Sequence, residues 1–585
     1  MLNIKENEQL SILNHSCAHL LAQAIKHLYP GAKFWVGPVI EEGFYYDVDL
    51  GDASIKEEDL SLIEKEMKKI SKDGKRIVRR ELSMSEALAE FADDSYKLDL
   101  ISRMDEAETV ISCYSQGDFT DLCRGPHVET VKELKHFKLL KASGAYWKGD
   151  ANNKMLQRIY GICFQTEEDL NEHLQILEEA KKRDHKKLGR DLELFFFDET
   201  APGMPYWMPK GLKLFNTLVD FWRTEHNKRG YHEFSGPQLN KSILWKTSGH
   251  WDHYREDMFV ITNKDGEEEA LKPMSCPNSI LMYKAKLRSY KDLPLRFSDV
   301  DVLHRNEASG ALNGLFRVRM FRQDDSHNFI TKEQIFDEIN NILEIVEYFY
   351  QIFGIEFSLT LSTRPDDFMG NIEDWNQAEK DLKNVLNSRL GEGNYVINEG
   401  DGAFYGPKID IMIKDALNRP WQCGTIQLDF QLGQKFDLSY IDNKGEKITP
   451  VIIHRVVYGS LERFIGILTE HFAGAFPAWL APVQVNIIPV NNEHHLEYAK
   501  KIEALLTAND LRAELDARDE KLGYKMRESQ TNKIPYTLVL GDNERDSDTV
   551  TYRLHGKEGS VTISTDEFVS KLKENIASRQ IDYEL

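Results

Sequence analysis

His304-Arg305-Asn306-Glu307, then Arg317-Val318-Arg319-Met320-Phe321 and, far downstream, Gly459-Ser460-Leu461-Glu462-Arg463, carry the reading of this chain. A guanidinium binds phosphate oxygens through paired, charge-assisted hydrogen bonds, and an aromatic ring offers a purine a face to stack on. Arg305 is therefore expected at an α-phosphate, Arg463 at a terminal phosphate and Phe321 against the base. No Gly-Lys followed by Ser or Thr and no Gly-x-Gly-x-x-Gly occurs, which excludes the P-loop and the dinucleotide fingerprint. The two arginines and the ring are expected on antiparallel strands instead. The plain alternative is a salt-bridged sheet with surface arginines.

Outward from these stretches, 585 residues allow roughly four domains of ~100–200 residues each. Hydrophobic residues make up 41% and charged residues 29%, as in an ordinary water-soluble protein. No apolar run of ~18 residues marks a membrane span. The opening MLNIKENEQL lacks a cationic start and an apolar core, so the cytoplasm is the expected location. Six cysteines, at 17, 113, 123, 163, 276 and 423, form no Cys-x-x-Cys pair and no dense framework, which fits reduced thiols. A formal charge of −22 is the reverse of a nucleic-acid footprint, although a basic stretch such as 181–187 can still form a positive track.

Residues 1–165 read as a first unit, with a helix over 15–28. His15 and His19 stand four apart on it and share a face. Cys123 and His127 repeat that spacing around Pro126, which points to a loop. His-x-x-x-His with Cys-x-x-x-His is a fair donor set for a tetrahedral metal site. Acidic residues precede basic ones over 167–187, so 166–194 are expected as a linker helix. Residues 195–482 form the longest unit, with strand-like segments at 424–430 and 451–455 suited to a mainly antiparallel sheet. Leu214, Phe215, Leu218, Val219 and Trp222 recur there at helical spacing. Residues 483–585 alternate strand and helix as an α/β module does. The expected class is multidomain α/β, of the α+β kind.

The opening stretches are similar to the second and third signature motifs of the class II aminoacyl-tRNA synthetases. The helix near Leu214, with the segment 230–237, resembles the first, which builds the dimer interface in that class. Over nearly its whole length the chain resembles the bacterial-type threonyl-tRNA synthetases. The resemblance implies an antiparallel-sheet catalytic core, an N-terminal α+β editing domain and a C-terminal α/β anticodon-binding domain. It implies a homodimer, with ATP, L-threonine and tRNA(Thr) as partners, and the absence here of the small domain with which the family usually begins.

By that resemblance Cys276, His327 and His454 match the ligands of one Zn2+ per subunit, with a coordination position open to substrate. Arg305, Glu307, Arg317, Phe321, Gln422, Thr425 and Arg463 are expected to bind ATP with its Mg2+. Met274, Gln323, Asp325, Tyr405 and Gln427 would form the threonine pocket, with Asp325 accepting the hydroxyl proton. Lys408 would lie near the phosphates and His250 near the terminal adenosine, where it would assist proton removal. These two, with Arg305 and Arg463, are the expected catalytic groups. A metal has a physical reason to be there: valine is nearly isosteric with threonine, and an apolar pocket separates the two only weakly. Around Cys276 the chain departs from the family's Asn-Cys-Pro-Gly-His, carrying Ser275, Asn278 and Ser279.

The resemblance also implies that His15, His19, Tyr46, Lys97, Asp121, Cys123 and His127 hold a mischarged seryl end and a hydrolytic water without a required metal. Serine lacks only a methyl group of threonine, so a second sieve is needed. Arg527, Glu544 and Arg553 match positions that read splayed anticodon bases, whereas Asp519 and Lys533 stand where an Asn and an Arg are familiar. Two rivals remain: a synthetase-like paralogue without catalysis, and a ligase for proline or serine. The set Cys276, His327 and His454 separates the second from a threonine enzyme.

Overall fold

The computed structural model describes residues 3–104, 111–150, 152–415 and 419–585. The chain forms two compact units, Met1–Glu179 and Ala180–Leu585. Among the described residues no helix is long and apolar enough to cross a membrane.

Helix Glu8–Leu28 opens the first unit. Asn7 caps it by accepting from Leu10 N, and Lys26 and His27 in the last turn suit the negative end of the helix dipole. Its buried side packs on an antiparallel sheet ordered Lys33–Phe34, Gly43–Asp49, Met155–Phe164, His136–Tyr146. Asn14 fixes how the helix is turned. Its amide donates to Cys163 O at 2.8 Å and its oxygen accepts from Cys163 N at 2.9 Å, extending the strand ladder onto the helix. His15 and His19 are aimed by that anchor. A second, three-stranded sheet contains Phe119–Leu122, which carries Asp121 and leads into the loop holding Cys123 and His127.

The stretch 166–194, expected as one linker helix, holds two helices. Helix Glu167–Arg183 stops where the Asp184 carboxylate accepts from Lys186 N and Lys187 N and starts helix His185–Asp191. An Asp serves the free N–H groups of a helix start better than a helix interior, which outweighs the charge pattern that favoured continuity.

The second unit is built on an eight-stranded sheet ordered Tyr231–Glu233, Leu295–Asp299, Asp325–Ile330, Val451–Val456, Pro420–Asp429, Lys408–Lys414, Phe357–Ser362, Val396–Asn398. Its pairs are antiparallel except at the two edges. Helix Pro209–Lys228 starts on a proline, whose missing N–H costs nothing there, and buries Leu214, Phe215, Leu218, Val219 and Trp222 in the core of its own chain with helices Ile335–Phe353 and Leu461–His471. The last hundred residues form a five-stranded sheet ordered Ala513–Leu515, Val485–Pro489, Tyr536–Leu540, Thr549–Leu554, Val561–Ser564, parallel in the first three strands and antiparallel after them.

Candidate active sites

Strands Val302–His304 and Met320–Arg322 pair as an antiparallel ribbon, setting Leu303 opposite Phe321. Arg305 follows the first strand directly. Arg317 leaves a tight turn in which Phe316 N and Arg317 N both donate to Asn313 O. Of the three expected strand residues only Phe321 lies in a strand. Arg463 sits in the first turn of helix Leu461–His471, because Ser460 accepts from Arg463 N and caps that turn. Gly459 has φ 74, and a Cβ there would lie 2.1 Å from Cys423 O, so only glycine admits this approach.

Arg305, Glu307, Arg317, Phe321, Gln323, Gln422, Thr425, Gln427 and Arg463 line one cleft. The Arg305 guanidinium stands 5.1 Å from the Phe321 ring, and its Nε donates to Pro273 O at 3.2 Å. Arg463 is braced by Phe316 O at 2.9 Å and Gln422 O at 3.2 Å. Lys408 is paired with Asp410, 3.1 Å away, and the same carboxylate accepts from the side chains of Gln422 and Thr425, which line the cleft. Burial pushes Asp410 up, against the pull of Lys408. Asp410 thus gathers three of the expected residues, and the sequence reading missed it.

A second cleft is lined by His250, Met274, Cys276, Asp325, His327, Tyr405 and His454. Arg305, Gln323, Thr425 and Gln427 line both clefts and make them continuous. His327 and His454 stand directly opposite on adjacent strands, and Cys276 opens helix Cys276–Lys284. The three buried donor atoms lie within 4.8 Å of one another. They fit a zinc ion chemically. His454 Nε2 is engaged by Asp429 Oδ2 at 2.9 Å, which leaves Nδ1 to face a metal, and His327 Nδ1 is buried with no hydrogen-bond partner among the described residues. Burial keeps His327 neutral, as a ligand must be. Beside them Asp325 is pushed up to about 6 by burial, against His454 and Arg455. Tyr405 OH donates to Gln427 Oε1 at 2.5 Å. His250 is pushed down to about 3 by burial and by His454, and its Nδ1 lies 2.7 Å from Ser248 Oγ.

All seven residues expected at the hydrolytic site converge in the first unit. Cys123 Sγ lies 3.2 Å from both His15 Nε2 and His127 Nε2. Beneath them Asp121 takes the Lys97 ammonium at 2.5 Å, the Tyr46 hydroxyl, and His19 Nε2 at 3.5 Å. Burial works against the Asp121 carboxylate, but Lys97 and His19 hold it below its ordinary range. Burial pushes His19 down to about 4 and the Cys123 thiol up to about 12. The donor atoms of His15, His19, Cys123 and His127 also lie within 4.8 Å of one another, so the metal alternative raised by their spacing stays geometrically open.

Arg527 and Arg553 are exposed on helix Leu522–Thr531 and strand Thr549–Leu554. Glu544 is already occupied, accepting from Gly541 N at 2.9 Å and Thr551 Oγ1 at 2.6 Å. Lys533 is half-buried, with its stem over Gly474, where burial and Arg183 lower its pKa.

Residues 259–472 match the tRNA synthetase class II core domain (G, H, P, S and T), 484–575 an anticodon binding domain, and 111–160 the threonyl and alanyl tRNA synthetase second additional domain. Over 583 residues the chain is 50% identical to a threonine–tRNA ligase of Desulforamulus reducens, covering 99% of this chain and 91% of that one. It belongs to the threonyl-tRNA synthetase family. A family member from Caldanaerobacter subterraneus is 51% identical over 586 residues, covering 99% and 90%. A solved structure described as the RNA binding domain of threonyl-tRNA synthetase from Cryptosporidium parvum is 42% identical with a TM-score of 0.65, covering 69% of this chain and 99% of that one. A prolyl-tRNA synthetase from the same organism, 16% identical with a TM-score of 0.53 and covering 68% and 75%, shares the fold of this synthetase family.

Proposed function

We propose that this chain activates L-threonine with Mg2+-bound ATP, transfers it to the 3′ end of tRNA(Thr), and hydrolyses mischarged seryl-tRNA(Thr) in its first unit. One observation carries the synthetic part: Arg305 stands where a cleft rimmed by Arg317 and Arg463 opens into a pocket ending at Cys276, His327 and His454. A carboxylate held near Arg305 meets the α-phosphate at that junction, and positioning with charge stabilisation suffices for in-line attack. Cys276, His327 and His454 would hold one Zn2+, which when bound supplies a Lewis acid able to engage amino and hydroxyl groups together. Asp325 accepts the substrate hydroxyl, Tyr405 and Gln427 shape the pocket, and Met274 and Gln323 close it. Neutral His250 is placed to accept a proton during transfer.

In the first unit Lys97, Tyr46 and Asp121 form a preorganised polar floor that orients a seryl end. His15, His19, Cys123 and His127 surround the position of the attacking water. Arg527 and Arg553 supply free donors for anticodon bases, and Glu544 can accept only through lone pairs its cap leaves unused. The domain limits 1–165, 166–194, 195–482 and 483–585, the homodimer and a cytoplasmic location belong to the same reading, supported by family membership.

ATP–pyrophosphate exchange on protein of known metal content, with threonine, serine and valine compared, tests it. Exchange with threonine, weak exchange with serine and none with valine is expected. Absence of amino-acid-dependent exchange from folded, metal-loaded protein overturns it.

A further inference from the structure

His185 lies at the start of the short helix His185–Asp191, just inside the second unit, and is 1% exposed. Its ring is seated by three contacts. Nδ1 lies 2.8 Å from Glu470 Oε1, Nε2 accepts from Leu315 N at 3.0 Å, and the ring packs on Phe316 at 4.1 Å between centroids. A backbone N–H can only donate, so Nε2 carries no proton and the ring proton sits on Nδ1, directed at Glu470.

Both partners lead to the nucleotide cleft. Glu470 lies two turns along helix Leu461–His471 from Arg463, on the same face. Leu315 and Phe316 form the turn from which Arg317 emerges, and Phe316 O accepts from Arg463 Nε at 2.9 Å. Lys186, the next residue, donates to Asn313 Oδ1 at 3.2 Å at the other end of that turn. The packing leaves no slack: a Cβ on Gly314 would fall 2.3 Å from His185 Nε2, and one on Gly466 2.9 Å from the Phe316 ring.

We propose that His185 is a positioning residue for ATP, clamping the Asn313-to-Arg317 turn onto helix Leu461–His471 so that Arg317 and Arg463 face the triphosphate together. This rests on reading those two arginines as phosphate ligands. The short helix His185–Asp191 thereby takes part in activation.

The test is threonine-dependent ATP–pyrophosphate exchange by wild type, His185→Asn and His185→Gln, with melting temperatures and equilibrium dialysis against ATP. Asn keeps a donor near Nδ1 and loses the acceptor for Leu315 N, whereas Gln places an acceptor near Nε2. His185→Asn is expected to raise the KM for ATP about tenfold while the KM for threonine stays within about twofold, and His185→Gln to recover most of the loss. An unchanged KM for ATP, or a fall in kcat and melting temperature alone, overturns the proposal, as does equal behaviour of the two variants. Should wild type show no exchange, the activation reading falls separately. ATP affinity by dialysis then decides: weakening in His185→Asn sustains the clamp and no change refutes it.

Discussion

His454 Nε2 stands 2.9 Å from Asp429 Oδ2, and both side chains are buried. The carboxylate fixes the ring's orientation and tautomer, so that a bound metal would meet Nδ1 already oriented. Asp429→Ala is expected to weaken metal retention by roughly 10–100-fold in competition with a chelator, the usual cost of losing such outer support. Wild-type retention in that variant would remove Asp429 from the metal centre.

Metal content separates the two histidine–cysteine clusters. Wild type should carry one zinc per chain, lost in Cys276→Ser together with threonine-dependent exchange. Cys123→Ala should leave that one equivalent in place. A second equivalent that disappears with Cys123 would move the first-unit cluster from a metal-free hydrolytic site to a metal site.

Arg463 uses Nε on Phe316 O and Nη1 on Gln422 O, which leaves Nη2 as the nitrogen without a partner among the described residues. Lysine has a single nitrogen and cannot brace and bind at once. Arg463→Lys should lower kcat/KM for ATP by about 100-fold in the exchange assay, in line with loss of one preorganised donor. Near-normal kinetics would show that the guanidinium fork is not needed.

Lys97 and Asp121 form an ion pair that is 4% and 2% exposed at the side chains. Lys97→Met strands a buried carboxylate and should destabilise the first unit by roughly 3–5 kcal/mol, abolishing seryl-tRNA hydrolysis. Adding Asp121→Asn should restore much of the stability and none of the hydrolysis. Recovery of both in the double variant would make the pair purely structural.

His19 has a folded pKa of about 4 against 6.5 for the free side chain, chiefly because it is buried. Between those values the unfolded state binds more protons, so stability rises with pH across the window and is lost on acidification through it. The shift corresponds to about 3 kcal/mol. Hydrogen exchange in helix Glu8–Leu28 should quicken from pH 6.5 to pH 4 in the intact chain, after correction for intrinsic rates, and the slope should flatten in His19→Gln. Equal slopes would assign the acid sensitivity elsewhere.

Much of this protein was legible one segment at a time. The arginine and aromatic signature without a glycine loop, the shared face of His15 and His19, and the strands over 424–430 and 451–455 all follow from residue chemistry and short-range period, which act within a few residues. Leu214 to Trp222 likewise announced an amphipathic helix, whose apolar face is buried in its own core. What folding added were partners. His327 meets His454 because strand register is set by the packing of the whole sheet, and a slip of one residue would turn either ring away. Asp410, Asp429 and Glu470 read in sequence as ordinary carboxylates. Each gained its role when folding brought partners to it: the side chains of Gln422 and Thr425 to Asp410, the ring of His454 to Asp429 and that of His185 to Glu470. Asp184 ended a helix that the charges had favoured, since a cap depends on which N–H groups are left free. Period and composition are local quantities; the identity of a buried partner is not, and the arginine-lined cleft, the candidate metal donors and the seat of His185 all depend on it.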